Sequence, residues 1–408
     1  MNFLLRCHRF SRVSPKGYLY SHNARIAARY FTISACRQQQ DKLKILFFGT
    51  DDFAATHLKS LLQEKDQPQS VIDHIELVCP PDRRTGRKLN VITESATKSL
   101  AKLHNIPIHH TPPEAKHLND WTVPGQFDLG VVVSFGYFIP AAVIASFGKG
   151  AVNVHPSLLP LYRGAAPIQH TILCGDSETG VTVQELHDKE FDAGRILQQE
   201  RVALTVDGPP RYTTLVKQLA HVGSHLLVDT LRNFDHHKNH AITQDITKAT
   251  KAPKIKKEWS EIDFATMQAW QIDQLHRAIG EQSPLRTVFE FEHGKKSGKV
   301  KRPLTMQLLN IFLPKHSAML SMSPRPRSGS FIFDPMSQAI HVMCADGQVV
   351  GASHIKAENK GKTTAKEFMN GYTVGDIGRF GTASDEMVAP NTIHPIVKRL
   401  KMKPYPQM

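Results

Sequence analysis

From Lys42 onward the sequence alternates short apolar runs with amphipathic stretches, and this alternation restricts the possible folds more than any other feature. Continuous apolar runs predict strands buried on both faces, as in a parallel sheet covered by helices. We predict such strands at 44–48, 72–79, 128–134, 151–155 and 181–186. The expected fold class is α/β, with an open, mostly parallel, Rossmann-like sheet over residues 41–232.

The remainder of the chain changes character after residue 232. Residues 233–257 are rich in histidine and lysine and bury little apolar surface, so we interpret them as a basic linker. Strand-like runs separated by Gly, Pro and Lys then follow at 287–292, 304–312, 330–333, 339–344 and 348–354. They predict a small OB-like β-barrel domain over residues 258–389, followed by a basic tail at 390–408.

The first forty residues contain six arginines and one lysine, and neither Asp nor Glu. This composition is typical of a mitochondrial presequence. We therefore interpret residues 1–40 as a presequence and expect the mature protein in the mitochondrial matrix; a basic arm that binds nucleic acid is the alternative. Removing these seven basic residues from the formal net charge of +14 leaves +7, a balance that suits a polyanionic partner.

Other patterns exclude several functional classes. No apolar run reaches the roughly 18 residues of a bilayer-spanning helix, so no membrane contact is expected. The five cysteines are widely spaced and form neither a disulfide framework nor a C-x-x-C site. The adjacent histidines at 109–110 and 236–237 lack ligand spacing, and Gly49 alone is not a dinucleotide fingerprint, so neither a metal nor NAD is expected.

The strongest chemical signal is the pair Asn153 and His155 at the end of the predicted strand 151–155. Side chains alternate along a strand, so both project to the same side, at the edge where open parallel sheets bind ligands. An amide NH2 can donate to an oxyanion and a histidine can move a proton, as acyl transfer to an amine requires. A hydrogen-bonded strand end without catalysis is the alternative for an isolated Asn-x-His.

A carboxylate that orients the imidazole is expected in the turn at 188–194, which offers Asp188, Glu190 and Asp192. Such a group would favour the imidazolium and fix the tautomer of the ring.

Longer sequence motifs around these residues point to a particular enzyme family. NVHPSLLP at 153–160, RGAAPIQ at 163–169 and DAG at 192–194 resemble the folate-dependent formyltransferase family. FGT at 48–50, DFA at 52–54 and PDR at 81–83 are similar to members of that family that act on methionyl-tRNA. The resemblance covers residues 42–205 well and the rest loosely. The chain departs from it at Asp51, where family members commonly have proline, and in a shorter arginine-rich loop.

The resemblance implies roles for particular residues. Asn153, His155 and Asp192 are the implied catalytic trio, and 10-formyltetrahydrofolate is the implied co-substrate. The implied contacts of its formyl-bearing part are Ser157, Leu158, Leu159 and Pro160. The implied border of its pterin is formed by Ser134, Phe135, Gly136 and Tyr137.

Basic clusters suit contacts with nucleic-acid phosphates, and the resemblance implies that the nucleic acid is tRNA. One loop carries Arg83, Arg84, Arg87 and Lys88. The resemblance implies that this loop enters the acceptor end of the tRNA, while a solvated surface loop is the alternative. In the second domain Lys295 and Lys296 lie in one cluster, and Lys356, Lys360, Lys362 and Lys366 form another. A generally basic surface is the alternative there.

We therefore predict direct transfer of a formyl group from 10-formyltetrahydrofolate to the methionine amine of methionyl-tRNA, by a monomer, for mitochondrial translation initiation. Two other functions stay open. A related folate enzyme could act on a small amine such as a glycinamide nucleotide, and a tRNA-binding protein could retain an inactive folate pocket.

Overall fold

The computed structural model describes residues 42–85, 90–113, 118–204, 208–291, 303–371, 378–381 and 394–406. Its strands are β1 (Leu43–Gly49), β2 (Ile72–Cys79), β3 (Arg83–Thr85), β4 (Val91–Thr93), β5 (Ile108–His110), β6 (Leu129–Val133), β7 (Ala151–His155), β8 (Glu178–Glu185), β9 (Ile196–Ala203), β10 (Leu285–Phe291), β11 (Leu304–Phe312), β12 (Phe331–Asp334), β13 (Ala339–Met343), β14 (Val349–Ala357), β15 (Lys362–Thr364) and β16 (Gly378–Phe380).

The helices within these ranges are α1 (Asp52–Lys65), α2 (Ala96–Leu103), α3 (Ala141–Ala145), α4 (Pro167–Cys174), α5 (Tyr212–Arg232), α6 (Phe234–Asn239), α7 (Ala269–Ile279), α8 (Ala365–Gly371) and α9 (Pro395–Arg399). None of these helices combines the length and the apolar character needed to cross a bilayer.

The first sheet has seven strands in the order β5-β2-β1-β6-β7-β8-β9. The five strands from β5 to β7 run parallel, whereas β8 and β9 are antiparallel to their neighbours. All five strands that the sequence predicts here are present, and the mostly parallel α/β class is confirmed. The chain moves outward from β1 in both directions, so the strand order reverses between β1 and β6, where open sheets of this class bind ligands.

Burial explains why β1 lies at the centre of this sheet. Ile45, Leu46, Phe47 and Phe48 are all fully buried, with two side chains on each face. Such a strand needs covering helices on both sides. Immediately afterwards the Asp51 side chain accepts a hydrogen bond from Ala54 N at 3.0 Å and caps α1. The first helix therefore begins at the carboxyl end of β1.

The second sheet is antiparallel, with the order β12-β13-β14-β11-β10-β16, and β15 pairs with β14. All five strands predicted for this part of the chain are present. The two ends of the sheet meet, because Phe380 N of β16 donates to the Gly329 carbonyl just before β12 at 2.9 Å. The Phe380 ring packs 5.0 Å from Phe289 and 5.2 Å from Phe331, which fills the interior of the curved sheet.

The connection between the sheets differs from the predicted linker. Residues 234–239 form α6, and residues 241–252 hydrogen-bond along the first domain. The prediction considered only side-chain burial, whereas backbone pairing orders this stretch. The predicted tail differs as well, because Ile396, Val397 and Leu400 of its described part are buried. Gln274 of α7 donates to the Lys403 carbonyl at 2.7 Å and holds that segment in place.

Two buried histidines each have a ring nitrogen without a hydrogen-bond partner among the described residues. His57 on α1 donates Nδ1–H to the Phe53 carbonyl at 2.8 Å, and its Nε2 lies beneath Gly223 of α5. Burial lowers the pKa of His57 to about 4. Burial, together with the nearby charge of Arg211, lowers the pKa of His276 on α7 to about 4 as well.

Acid should therefore destabilise the fold. The folded-state pKa of each histidine lies below the ordinary value of 6.5, so the unfolded chain binds protons first as the pH falls. From about pH 7.5 to about pH 5.5 the free energy of unfolding should fall by about 1 kcal/mol for each histidine. Urea denaturation at both pH values measures this fall. His57→Leu should show a smaller pH dependence, and the exposed His104→Leu should match the wild type. An unchanged dependence in His57→Leu would contradict this assignment.

Candidate active site

A cleft of about 490 Å³ opens at the carboxyl ends of β1, β6 and β7. Asp51 lines it after β1, Ser134 after β6, and Asn153 at the end of β7. Desolvation raises the pKa of Asp51, although hydrogen bonds from Ala54 and Ser134 act in the opposite direction. The cleft thus lies at the reversal of strand order, where the sheet topology favours a ligand site.

The predicted pterin border lines this cleft. Ser134, Phe135, Gly136 and Tyr137 all contribute to its wall. Gly136 has φ +80°, a conformation that favours glycine, and a Cβ there would meet nothing within 4 Å. The backbone is therefore open to a flat ligand at this point.

The segment predicted to contact the formyl group lies elsewhere. Ser157, Leu158, Leu159 and Pro160 are absent from the described wall of the cleft. Ser157 is fully buried and its hydroxyl donates to the Leu161 carbonyl at 2.7 Å. The Gln199 amide donates to the Leu159 carbonyl at 2.8 Å. In this structure the segment shapes the turn after β7, and its predicted folate contacts stay predictions.

The structure brings Asn153, His155 and Asp192 together. Asn153 Nδ2 donates to Asp192 Oδ1 at 3.2 Å, and His155 Nδ1 lies 3.4 Å from the same oxygen. Asp192 comes from the loop between β8 and β9, and its side chain is 11% exposed. Of the three carboxylates that the sequence offered in the turn, Asp192 is therefore the one that reaches the imidazole of His155.

The imidazole of His155 is held from both sides. Its Nε2 lies 2.9 Å from the Tyr162 carbonyl, and its Nδ1 faces the Asp192 carboxylate. A carbonyl oxygen can only accept, so the nitrogen facing Tyr162 carries a proton in this arrangement. Since both ring nitrogens are engaged, the ring can donate to a bound ligand only by releasing one of these contacts.

Gln184 is a site residue that the sequence reasoning missed. It lies on β8 directly opposite Asn153 of β7, and its Nε2 donates to Asp192 Oδ1 at 3.1 Å. Gly164 N adds a hydrogen bond to the other carboxylate oxygen at 2.9 Å. Gln184 is 1% exposed. A polar residue within an apolar strand usually needs a buried hydrogen-bond partner, and this feature of the sequence could have indicated its role.

The loop that carries Asp192 has little freedom. Asp192 itself has φ +57°, a backbone conformation that few residue types adopt readily. A Cβ at Gly194 would lie 1.8 Å from the Glu185 carbonyl oxygen, so only glycine fits there. These constraints set the position of the carboxylate before any ligand binds.

The basic residues predicted to bind tRNA are only partly described. Arg83 and Arg84 are exposed on β3, which forms a two-stranded ribbon with β4. The other four predicted residues lie outside the described ranges: Arg87, Lys88, Lys295 and Lys296. In the described ranges no group of three His, Cys, Asp or Glu side chains could hold a metal ion.

Comparisons with known proteins agree with this geometry. The family model described as Formyl transferase matches residues 42–231, and that described as Formyl transferase, C-terminal domain matches residues 254–373. The protein of Homo sapiens named "Methionyl-tRNA formyltransferase, mitochondrial" is 33% identical over 335 residues, covering 81% of this chain and 77% of the relative. The chain belongs to the methionyl-tRNA formyltransferase family.

A bacterial relative and a solved structure also match the chain. "Methionyl-tRNA formyltransferase" of Lactiplantibacillus plantarum is 31% identical over 332 residues, covering 80% of this chain and 95% of the relative. Among solved structures, HypX from Aquifex aeolicus in complex with tetrahydrofolic acid matches with a TM-score of 0.50 at 16% identity. That match covers 82% of this chain and 48% of the solved chain. This chain therefore spans about half of HypX and shares the fold of that half.

Proposed function

We propose that the chain transfers the formyl group of 10-formyltetrahydrofolate to the α-amino group of methionine on methionyl-tRNA, for initiation of mitochondrial translation. The observation that carries this proposal is the convergence of Asn153, His155 and Asp192 beside a cleft that a folate can enter. Relatives that match most of the chain carry this activity in their names.

The reaction needs no covalent enzyme intermediate. The neutral amine of methionine attacks the formyl carbon, forming a C–N bond and a tetrahedral oxyanion. Asn153 has a second amide hydrogen free to donate to that oxyanion, and the imidazole of His155 adds a donor once it releases one contact. The bond from carbon to N10 then breaks, while a proton leaves the new amide nitrogen and another reaches N10. The products are formyl-methionyl-tRNA and tetrahydrofolate.

Asp192 supports this chemistry without touching the substrate in the proposed scheme. Its carboxylate faces His155 Nδ1 and stabilises positive charge on the ring while the oxyanion exists. The same carboxylate orients the Asn153 amide, so one acceptor aligns both donors.

Residues 1–40 are proposed as a presequence that directs the chain to the mitochondrial matrix. Their composition, basic and without acidic residues, supports this proposal. The mammalian relatives bear the word mitochondrial in their names, although a bacterial relative matches as well. We also propose residues 41–232 as the catalytic domain and residues 258–389 as the tRNA-binding domain.

The acceptor and the histidine can be tested together with labelled 10-formyltetrahydrofolate. Residues 41–408 should formylate methionyl-tRNA and leave free methionine unlabelled. His155→Ala should reduce kcat by at least about 100-fold, because an oxyanion donor and the imidazole that faces Asp192 are both lost. The exposed His104→Ala serves as the control. Equal labelling of free methionine would refute tRNA specificity, and near-normal turnover of His155→Ala would refute its catalytic role.

We propose that the described lysines of the second sheet bind tRNA phosphates. Lys356 of β14 and Lys362 of β15 lie directly opposite one another, and Lys360 is in the turn between them. All three are exposed. Like charges opposed on neighbouring strands repel one another, and bound phosphates would relieve that repulsion.

Replacing Lys356, Lys360 and Lys362 together by alanine should raise KM for methionyl-tRNA by about tenfold at ~0.15 M salt. It should also reduce the slope of log KM against log salt concentration by about 2 and leave kcat unchanged. The exposed pair Lys59 and Lys217, on α1 and α5, provides the matched alanine control. An unaltered salt slope in the triple variant would show that phosphates bind elsewhere.

A further inference from the structure

The connection between the two domains contacts the loops that support the catalytic trio. Residues 241–252, hereafter the inter-domain segment, run along both loops that support the imidazole of His155. Ile242 and Ile196 exchange two backbone hydrogen bonds, of 2.8 and 2.9 Å, just after the loop that carries Asp192. At the far end Thr250 and Ala252 bind the loop that follows β7. The segment therefore joins two loops that the first domain presents separately.

Gln244 of the inter-domain segment is the centre of this contact. Its Nε2 lies 2.9 Å from the Asp192 carbonyl, 2.7 Å from the Gly194 carbonyl and 3.1 Å from Gln184 Oε1. Its Oε1 accepts two hydrogen bonds from Arg163, from Nε at 3.0 Å and from Nη2 at 2.7 Å. Gln244 is 9% exposed, so water is largely excluded from these contacts.

These contacts specify an amide at position 244. Only a side chain that donates and accepts at once can satisfy a guanidinium on one side and backbone carbonyls on the other. Gln184, in turn, donates to the Asp192 carboxylate, so Gln244 acts on Asp192 through both its backbone and its side chain.

The opposite side of the imidazole depends on the same segment. Thr250 Oγ1 accepts from Tyr162 N at 2.8 Å, and the Thr250 carbonyl accepts from Arg163 N at 2.8 Å. The Tyr162 carbonyl is the group that faces His155 Nε2. A Cβ at Gly164 would lie 2.7 Å from the Ala252 carbonyl oxygen, so the loop and the segment are in close contact. The segment thus holds the partners of both ring nitrogens.

We propose that Gln244 is a positioning residue for the formyl transfer, which fixes Asp192 against His155 and Asn153. The inter-domain segment leads directly into the second domain, so the placement of the catalytic trio depends on the connection between the domains. This inference rests on the proposed function, since it assigns Gln244 a part in that reaction. It assigns no contact with substrate to Gln244.

The test compares Gln244→Glu with Gln244→Ala and the wild type in residues 41–408. Glutamate keeps an oxygen acceptor for Arg163 and can form an ion pair with it, while its second oxygen faces backbone carbonyls, so circular dichroism and urea denaturation first establish that both variants are folded. Glutamate loses the amide donor to the Asp192 loop and adds a negative charge beside the site. Gln63→Ala changes an exposed glutamine on α1 and is the matched control.

We expect kcat to fall by about 10- to 100-fold in both Gln244 variants, while KM for methionyl-tRNA changes less than about twofold. Gln63→Ala should match the wild type in both quantities. A kcat for Gln244→Ala and Gln244→Glu within about twofold of the wild type would overturn the proposal.

The two proposals fail in different ways. A wild-type chain that does not formylate methionyl-tRNA refutes the proposed function. Fully active Gln244→Ala and Gln244→Glu beside an active wild type refute the positioning role alone.

Discussion

The carboxylate of Asp192 accepts hydrogen bonds from Asn153 of β7, Gln184 of β8 and the backbone of Gly164, and it also faces His155. These groups come from three separate stretches of the chain, namely β7, the loop that follows it, and β8. A largely enclosed carboxylate is costly unless hydrogen bonds satisfy it, and these donors satisfy it here. The positive φ of Asp192 and the close contact of Gly194 with the Glu185 carbonyl define the loop that brings the carboxylate to them. The site is thus organised around an acceptor that is fixed before substrate binds.

This organisation explains how a general fold carries a particular reaction. The reversal of strand order between β1 and β6 provides the cleft but does not select its chemistry. The chemistry follows from donors at the end of β7 that are aligned by one carboxylate. The ring of His155 is held by Tyr162 as well as by Asp192, so in the proposed reaction a formyl group must compete with a backbone carbonyl for a ring nitrogen.

The sequence predicted the parts of the fold that depend on local pattern. Apolar runs located the strands of both sheets, and side-chain alternation along β7 correctly placed Asn153 and His155 on one side. The sequence did not indicate Gln184, because its role depends on the register between β7 and β8. It did not indicate Gln244, because that role depends on contacts with residues far away in the sequence. The polar side chains at 233–257 predicted an unordered linker, whereas α6, backbone pairing with the loops at 160–166 and 192–196, and the hydrogen bonds of Gln244 order this stretch. The contacts of the segment at 157–160 with the folate rest on the resemblance alone, and in the structure this segment forms the turn after β7.

In the proposed reaction an amide and an imidazole, aligned by one carboxylate, converge on the formyl group. A crystal structure of the chain with a stable formyl-folate analogue tests this convergence most directly. We expect a formyl oxygen roughly 2.7 to 3.1 Å from Asn153 Nδ2, with one ring nitrogen of His155 within hydrogen-bond distance of the same oxygen. A formyl group bound at the other end of the cleft, beside Asp51 and out of reach of both donors, would contradict it.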